Sequence, residues 1–340
     1  MGTGEERQRR RRRHRRGRRW PKRLALTVLA LVLCLVAYGI GLYFWGDSRL
    51  RHTDAFDAYP DRPSSGRGAD WLLIGSDSRS ELTPEQRKEL HVGNDDVLNT
   101  DTLMVLHYGD SGPYLLSIPR DSYVAIPGHG KNKINAAYAL GGPKLLTRTV
   151  EQATGLALDH YAEVNFLGFV DVVDSLGGVT ICVAKGGLHD AKSGADFDAG
   201  CQRMNGTQAL AYVRARYSDP LGDLGRVKRQ RQLVSAVADK ALSAGVLLPP
   251  WRLIPWLGAS FDALTVDDGT GVRDLAQMGL RMRDIAGGKG ATLTVPVGEE
   301  TSVEGVGDVV EWDSVKAGQV FSALRDDTAI PASILTSDAG

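Results

Sequence analysis

The sequence contains none of the short motifs that identify the commonest kinds of enzyme site. There is no Ser-His-Asp pattern, no HExxH zinc motif, no Walker A motif and no GxGxxG dinucleotide motif. The seven histidines show no spacing typical of metal ligands. A histidine-ligated zinc centre, a P-loop site and a dinucleotide site are therefore not expected.

A net charge is also lacking, because 41 basic and 41 acidic residues cancel. The distribution is uneven: residues 1–23 carry 12 Lys/Arg and two Glu, which leaves 29 basic and 39 acidic residues in the rest of the chain. The Arg-rich stretch 7–19 has no apolar periodicity and is expected to be solvated. Taken alone it could be a nucleic-acid-binding arm, but the segment that follows favours another interpretation.

Residues 24–45 form an uncharged run of 22 residues, long enough to cross the roughly 30 Å hydrocarbon core of a membrane. Aromatic residues gather toward its far end, up to Trp45, as in an interfacial belt. A cleavable signal peptide is the alternative, but its apolar part would be shorter and would end in a small-x-small site. We therefore predict a retained single-pass transmembrane helix, a basic cytoplasmic tail over residues 1–23, and residues 46–340 outside the cytoplasmic membrane, with no nucleic-acid partner.

Cysteine is scarce, with three residues in the whole chain. Cys34 lies inside the apolar run, whereas Cys182 and Cys201 fall in the part expected outside the cell, where disulfides persist. We predict that these two form a disulfide. Two buried free thiols are the alternative.

The exported part alternates strand-like apolar runs with helix-like segments, which predicts a single α/β/α sandwich with a central mixed sheet. Residues 46–69 are polar and rich in Pro and Gly, so we expect a linker there and one domain over residues 70–340. The Gly/Asp-rich stretch after residue 183 is expected to be a loop. Strands are predicted at 71–74, 102–108, 114–118, 161–165, 179–183 and 291–297, and helices at 144–154, 166–176, 206–216, 222–244, 272–285 and 314–325.

Charged residues cluster just beyond the ends of these elements. The strand at 114–118 ends at Pro119, and Arg120 and Asp121 follow at once. Arginine stays protonated and cannot ligate a metal, so several converging arginines predict a site for a multiply charged anion such as phosphate. The candidate residues are Asp77, Arg79, Asp101, Arg120, Asp121, Lys133, Arg214, Arg216, Arg226, Arg229 and Gln230.

The two aspartates at strand ends, Asp77 and Asp101, supply the hard oxygen ligands that Mg²⁺ prefers. Each feature also has a purely structural interpretation. Asp77 could be a helix N-cap, and the basic residues between Arg226 and Arg231 could be an ordinary solvated helix face.

Seven blocks of sequence resemble, in order, the pattern of the LytR–CpsA–Psr (LCP) family. The resemblance covers about residues 69–248. The blocks are GSDSR (75–79), TDTLM (100–104), SIPRDSYV (117–124), KINAAYALGG (133–142), HYAEVNFLGFVDVVDSLGGV (160–179), NGTQALAYVRAR (205–216) and DLGRVKRQRQ (223–232).

The resemblance implies a phosphotransferase on the outer face of a Gram-positive cytoplasmic membrane. Such an enzyme moves a glycopolymer from a polyprenyl-pyrophosphate carrier to peptidoglycan, typically to the C6 hydroxyl of N-acetylmuramic acid. Asp77 and Asp101 would then hold Mg²⁺, or Mn²⁺, at the pyrophosphate, and Asp77 would also be a candidate base. The resemblance assigns the phosphate clamp to Arg120, Arg214, Arg216 and Gln230, with support from Arg79, Lys133, Arg226 and Arg229. It also implies an apolar cavity for the isoprenoid tail, walled by the helix at 222–244.

The sequence departs from the family pattern in an insert at 80–99, between the two aspartates. Asp95 or Asp96 could therefore replace one of them as a metal ligand. Two rival functions would use the same site: a polyprenyl-pyrophosphate phosphatase with water as acceptor, and a non-catalytic regulator that binds lipid phosphate.

Overall fold

The computed structural model describes residues 20–76, 83–89, 100–215 and 222–337, and the chain divides into two units, residues 1–48 and 49–340. In the first unit, helix α1 (Trp20–Asp47) contains a stretch with a mean hydropathy of 2.5 that is long enough to cross a membrane. Its leucine and valine side chains are exposed, as expected of a surface that faces lipid. The helix fits the predicted single-pass anchor.

The second unit is organised around a seven-stranded mixed sheet with the order β1-β12-β7-β2-β3-β4-β13. Pairing is parallel between β2 and β7 and antiparallel between β2 and β3 and between β3 and β4. The strands are β1 (Arg51–Thr53), β2 (Ala69–Ser76), β3 (Thr100–Tyr108), β4 (Tyr114–Ile118), β5 (Tyr123–Ile126), β6 (Gly130–Lys133), β7 (His160–Asn165), β8 (Val179–Val183), β9 (Leu188–Asp190), β10 (Ala195–Phe197), β11 (Gly200–Met204), β12 (Leu264–Asp267), β13 (Ala291–Thr294), β14 (Val297–Val303) and β15 (Gly307–Trp312).

Helices cover both faces of this sheet, which confirms the predicted α/β/α sandwich. On one face α3 and α10 pack into the main apolar core together with Leu72, Val105 and Leu116. On the other face α6 and α9 reach β3, because Gln230 donates to Thr102 and Arg281 stacks over Tyr108. The helices are α2 (Pro84–Glu89), α3 (Ala136–Thr154), α4 (Phe166–Ser175), α5 (Gly206–Arg214), α6 (Gly222–Ala241), α7 (Ala244–Leu247), α8 (Pro250–Ala263), α9 (Val272–Ala286), α10 (Ser314–Arg325) and α11 (Ala332–Ser337).

Four strands reach the same level at what we call the carboxyl end of the sheet. There β2, β4 and β7 end and β3 begins, since Ser76 pairs with both Thr100 and Asn165, and Ile118 pairs with Leu103. The strand ends predicted to carry polar residues therefore meet at one place.

The segment predicted as a linker is folded instead. Strand β1 pairs in parallel with β12, and Ala55 and Tyr59 are buried. Tyr59 and Arg62 both donate hydrogen bonds to the buried carboxylate of Glu151 on α3. The polar composition misled the prediction, because a few anchoring side chains outweigh the Pro/Gly-rich remainder.

The stretch after residue 183 is likewise no simple loop. Strands β9 and β10 form a hairpin, and β11 pairs antiparallel with β8. Leu188 and Phe197 belong to a second apolar core that also includes residues of β8, α5 and α6. Cys201 lies directly opposite Cys182 in this pairing, and the predicted disulfide is formed. Its position braces the segment that leads into α5.

Other differences concern residues 245–340. Helix α8 and the β14–β15 hairpin were not predicted, and β13 ends at Thr294 because a separate strand begins at Val297.

Three predicted helices have different bounds in the structure. In α3, Gly141 and Gly142 have non-helical backbone angles, so the helix predicted after Pro143 is preceded by a separate helical turn. The helix expected at 206–216 ends at Arg214, and α6 ends at Ala241.

A buried charge cluster lies at the opposite end of the sheet. His107 of β3 contacts Asp70 of β2 (Nδ1 to Oδ1, 2.9 Å) and Asp327 after α10 (Nε2 to Oδ1, 3.5 Å). Burial alone would lower the pKa of His107, but the two carboxylates outweigh it and raise that pKa above its usual value. Burial would also raise the pKa of Asp327, yet the hydrogen bonds it accepts, first from Ser111, lower that pKa to about 2.

We predict that the charged form of His107 stabilises the fold. A raised folded-state pKa gives stability that is complete below about pH 6.5 and is lost as pH rises through the raised value. The melting temperature of the full chain should therefore fall above pH 6.5. Asp327→Asn should flatten this fall and destabilise the protein at pH 6 by about 1–3 kcal/mol.

Thermal unfolding measurements check this for the wild type and for Asp327→Asn. The control is His129→Gln, because His129 is an exposed histidine in a turn. A wild-type melting temperature that stays flat from pH 6.5 to 9 contradicts the prediction.

Candidate active site

The start of β3 carries a β-bulge at one of the predicted aspartates. Gly75 pairs with Thr102 and Ser76 with Thr100, so Asp101 is the extra residue between them. Bulges are common beside active sites, where they redirect the chain. The side chain of Asp101 lies outside what the structure describes, as do Asp77, Arg79, Asp95 and Asp96.

The two hydroxyl residues that precede these aspartates are completely buried. Ser76 and Thr100 are 0% exposed; the Thr100 hydroxyl has no hydrogen-bond partner in the described part of the chain, whereas the Ser76 hydroxyl interacts with Tyr138. An unsatisfied buried hydroxyl costs free energy. Two hard oxygen atoms beside two predicted carboxylates are donors of the type that Mg²⁺ accepts, so the residues present fit the metal implied by the resemblance. Elsewhere, the described residues include no cluster of three His, Cys, Asp or Glu side chains suited to a metal.

Beyond β4 the structure joins three of the predicted residues. Asp121 accepts a hydrogen bond from Lys133 Nζ at 2.9 Å and lies 3.4 Å from Arg120 Nε. Burial alone would raise the pKa of Asp121, but Lys133 and Arg120 outweigh it and lower that pKa below its usual value. Asp121 is therefore a poor proton acceptor and acts to position the two cations.

The β14–β15 hairpin makes two hydrogen bonds to the turn that carries Arg120 and Asp121. Val310 donates from its backbone N–H to the carbonyl of Asp121, and Trp312 Nε1 donates to Ser122 Oγ at 2.8 Å. Ser122 in turn donates to the carbonyl of Pro119. The backbone around Arg120 is thus fixed on both sides.

Helices α5 and α6 bring further predicted residues to the carboxyl end of the sheet. The Arg214 guanidinium lies 5.2 Å from the ring centre of Phe166, the first residue after β7. Gln230 Nε2 donates to Thr102 Oγ1 at 2.8 Å, one residue from Asp101. The buried Arg229 donates to the carbonyl of Ala215, so it holds the end of α5 in place.

Two of the predicted basic residues remain undescribed at this site. Arg216 lies outside the described residues, and of Arg226 only the position on α6 is described. The structure therefore places Arg120, Lys133, Arg214 and Gln230 around the strand ends. Their role as a phosphate clamp stays a prediction.

A buried network that the sequence analysis missed lies beneath the same strand ends. Glu163 of β7 accepts a hydrogen bond from Tyr138 and another from Tyr161, both at 2.7 Å. Burial, followed by the Glu163 charge, raises the pKa of both tyrosines well above the usual value. A single acidic residue in the apolar strand HYAEVN was a signal that could have revealed it.

This network lies close to the predicted metal site. Glu163 pairs with Ile74, two residues before Ser76, and the Ser76 hydroxyl is near enough to Tyr138 to affect its pKa. Tyr138 belongs to the helical turn that follows Lys133. The network therefore ties the Lys133 loop to the end of β2.

The LytR_cpsA_psr family model matches residues 48–326. The probable cell wall biosynthesis protein LcpB of Corynebacterium glutamicum is 44% identical over 303 residues, which cover 87% of this chain and 71% of LcpB. The polyisoprenyl-teichoic acid–peptidoglycan teichoic acid transferase TagU of Oceanobacillus iheyensis is 33% identical and covers 71% of this chain and 76% of TagU. A solved structure of TagT bound to LIIa-WTA has a TM-score of 0.59 at 26% identity, covering 77% of this chain and 91% of that one.

We predict that the hydrogen bonds from Tyr138 and Tyr161 to Glu163 stabilise the carboxyl end of the sheet. Tyr138→Phe removes one of two hydrogen bonds to a buried carboxylate and should cost about 1.5–3 kcal/mol of unfolding free energy. Tyr123→Phe is the matched control, since Tyr123 is half-buried and packs against Lys131. Equal unfolding free energies for the two variants in chemical denaturation would count against the network.

Proposed function

The chain belongs to the LytR–CpsA–Psr family, and on that premise we propose that it transfers a cell-wall glycopolymer from a polyprenyl-pyrophosphate carrier to peptidoglycan. The observation that carries the proposal is the convergence of Arg120, Lys133, Arg214 and Gln230 around the ends of four strands. A site rich in cations and poor in nucleophiles suits a pyrophosphate. The names of LcpB and TagU support cell-wall glycopolymer chemistry.

The proposed reaction is an in-line displacement at phosphorus. The acceptor hydroxyl oxygen bonds to the phosphorus next to the glycan, the bond from that phosphorus to the bridging oxygen breaks, and polyprenyl phosphate leaves with the electron pair. Such a reaction needs little covalent help, so positioning and charge stabilisation supply the catalysis. The hydroxyl proton passes to Asp77, the candidate base.

Arg120 and Lys133 would contact the pyrophosphate oxygens from one side and Arg214 from the other. Hydrogen bonds to charged groups contribute about 1.5–3 kcal/mol each, so two or three are enough to orient the ligand. Asp121 keeps Arg120 and Lys133 in place before the substrate arrives, which reduces the entropy lost on binding.

Asp77 and Asp101 are the proposed Mg²⁺ ligands, with the buried hydroxyls of Ser76 and Thr100 close by. When bound, the metal would neutralise charge on the pyrophosphate oxygens. The anchor helix α1 supports a membrane location, and the basic residues 1–23 favour a cytoplasmic N-terminus and an exported catalytic unit.

The full chain in lipid vesicles, given a defined polyprenyl-pyrophosphate glycan and peptidoglycan fragments, tests the proposal. Glycan attached to peptidoglycan, with polyprenyl phosphate released only when acceptor is present, is the expected result. Release at the same rate without acceptor would identify a phosphatase. Carrier binding without turnover would identify a regulator.

We predict that the two aspartates have separable roles. Asp77→Asn should lower transfer by the order of 10²–10⁴ that general-base catalysis supplies, while carrier binding stays nearly intact. Asp101→Ala should instead raise the Mg²⁺ concentration needed for activity. Transfer rates and carrier binding measured over a Mg²⁺ titration check this, and an Asp77→Asn enzyme with the wild-type rate at saturating Mg²⁺ rules out the base assignment.

We also predict that Arg120 acts through its planar guanidinium. Arg120→Ala should weaken binding of a polyprenyl-pyrophosphate analogue about 10- to 100-fold, and Arg120→Lys should restore only part of it, because a point charge cannot bind two oxygens in parallel. Arg325→Ala is the control, since Arg325 lies at the end of α10 beside Arg67, away from the strand ends. Full affinity in Arg120→Ala would remove this residue from the clamp.

A further inference from the structure

Helices α7 and α8 and the short turn between them expose large apolar side chains that nothing in the described part of the second unit covers. Leu248 is 78% exposed and Trp251 is 76% exposed, and Leu247 and Ile254 are also exposed. We call these four side chains the α8 apolar face. Scattered exposed leucines are normal, but four exposed apolar side chains within residues 247–254, one of them a tryptophan, favour an interaction surface.

The chain enters the second unit at the C-terminal end of α8. Arg49, the first residue of the second unit, forms an ion pair with Asp262 near the end of α8, with Nε 2.8 Å from Oδ1. The anchor helix α1 ends at Asp47. Two residues of extended chain span at most about 7 Å, so a membrane that holds α1 must lie close to the end of α8.

The same place is the carboxyl end of the sheet. Helix α8 leads directly into β12, whose first residue, Leu264, pairs with Val164 near the end of β7. Strand β1 begins there as well, because Arg51 pairs with Thr265. The anchor therefore enters the second unit at the end of the sheet that carries the candidate site.

The composition of α7 and α8 suits a lipid surface. Tryptophan and leucine favour the membrane interface, and amphipathic helices lie in its plane with their apolar side inward. Across residues 244–263 the single acidic residue is Asp262, whose charge Arg49 balances, and the single basic residue is Arg252. Little negative charge is present to repel anionic phospholipids.

We propose that the α8 apolar face inserts into the outer leaflet at headgroup level and sets the carboxyl end of the sheet toward the membrane. The 14 residues of α8 span about 21 Å, enough to carry Trp251 along the surface from the entry of the chain. This inference rests on the proposed function, since a lipid-linked pyrophosphate also lies at headgroup level. The site would then lie at the same level as the pyrophosphate of its substrate.

The test places an environment-sensitive fluorophore on the full chain in phospholipid vesicles. The label is attached at Leu248→Cys in a Cys34→Ser background, since Cys182 and Cys201 are bonded to each other. The matched control is Leu280→Cys, because Leu280 is 54% exposed on α9 and its neighbour Arg281 stacks over Tyr108 at the other end of β3. Labelling the native Cys34 of α1 reports whether the anchor is inserted.

We expect a blue-shifted emission at position 248, quenching by brominated lipid and protection from aqueous iodide. The label at position 280 should show the reverse. Iodide access at 248 equal to that at 280, with Cys34 protected, overturns the proposal. Protection from iodide without quenching by brominated lipid also overturns it, because it would mean that protein, such as a second copy, covers the face.

A second measurement separates this inference from the proposed function. Leu248→Glu with Trp251→Glu should reduce transfer from a long-chain donor in the vesicle and leave transfer from a short-chain, water-soluble donor unchanged. Leu280→Glu should alter neither. Equal transfer from both donors in the double variant contradicts the membrane role, whereas no transfer by the wild type from either donor would contradict the proposed function alone, since the fluorescence result does not depend on turnover.

Discussion

Strand β2 is paired on both sides, antiparallel to β3 and parallel to β7, and the register of these two ladders decides which side chains reach the carboxyl end of the sheet. A slip of one residue would turn every side chain of a strand to the opposite face. The register is fixed because successive side chains of β2 point to opposite faces of the sheet and both faces are buried. Leu72 and Ile74 belong to the main core, while Trp71 is buried on the other side. The bulge at Asp101 interrupts this alternation only where the sheet ends. Packing of apolar side chains deep in the sheet thus determines where the catalytic candidates stand.

Two carboxylates near the site, the buried Glu163 and the half-buried Asp121, are stabilised in different ways. Glu163 receives neutral hydroxyl donors from Tyr138 and Tyr161, whereas Asp121 receives the cations Lys133 and Arg120. The first arrangement stabilises a buried acid without using any positive charge. The second holds two cations at a turn where an anionic substrate would add more negative charge. A phosphate would therefore share Lys133 and Arg120 with Asp121, which keeps both cations in place before the phosphate binds.

The sequence predicted the elements with strong apolar periodicity and missed those that depend on distant partners. The ranges 114–118, 179–183 and 314–325 agree with β4, β8 and α10 because their apolar patterns are bounded by Pro, Gly or an Asp N-cap. Strand β1 has no such pattern, and only its pairing with β12, more than 200 residues away, makes it a strand. Glu163 was missed for the same reason, since its partner Tyr138 comes from another element. The arginines were predictable as a class, while the attachment of Arg229 to Ala215 depended on how α5 and α6 pack.

The seven sequence blocks end near residue 232, yet the fold they encode is incomplete without the rest of the chain. Strand β12 pairs with β7 and strand β13 pairs with β4, so both flanks of the block-bearing strands are covered by residues beyond 263. Without them β4 and β7 would become exposed edge strands, whose unpaired backbone groups favour aggregation. The β14–β15 hairpin also fixes the turn that carries Arg120. The proposed catalytic residues lie in the blocks that resemble the family pattern, and the less distinctive residues beyond 263 hold in place the strands and the turn that carry them.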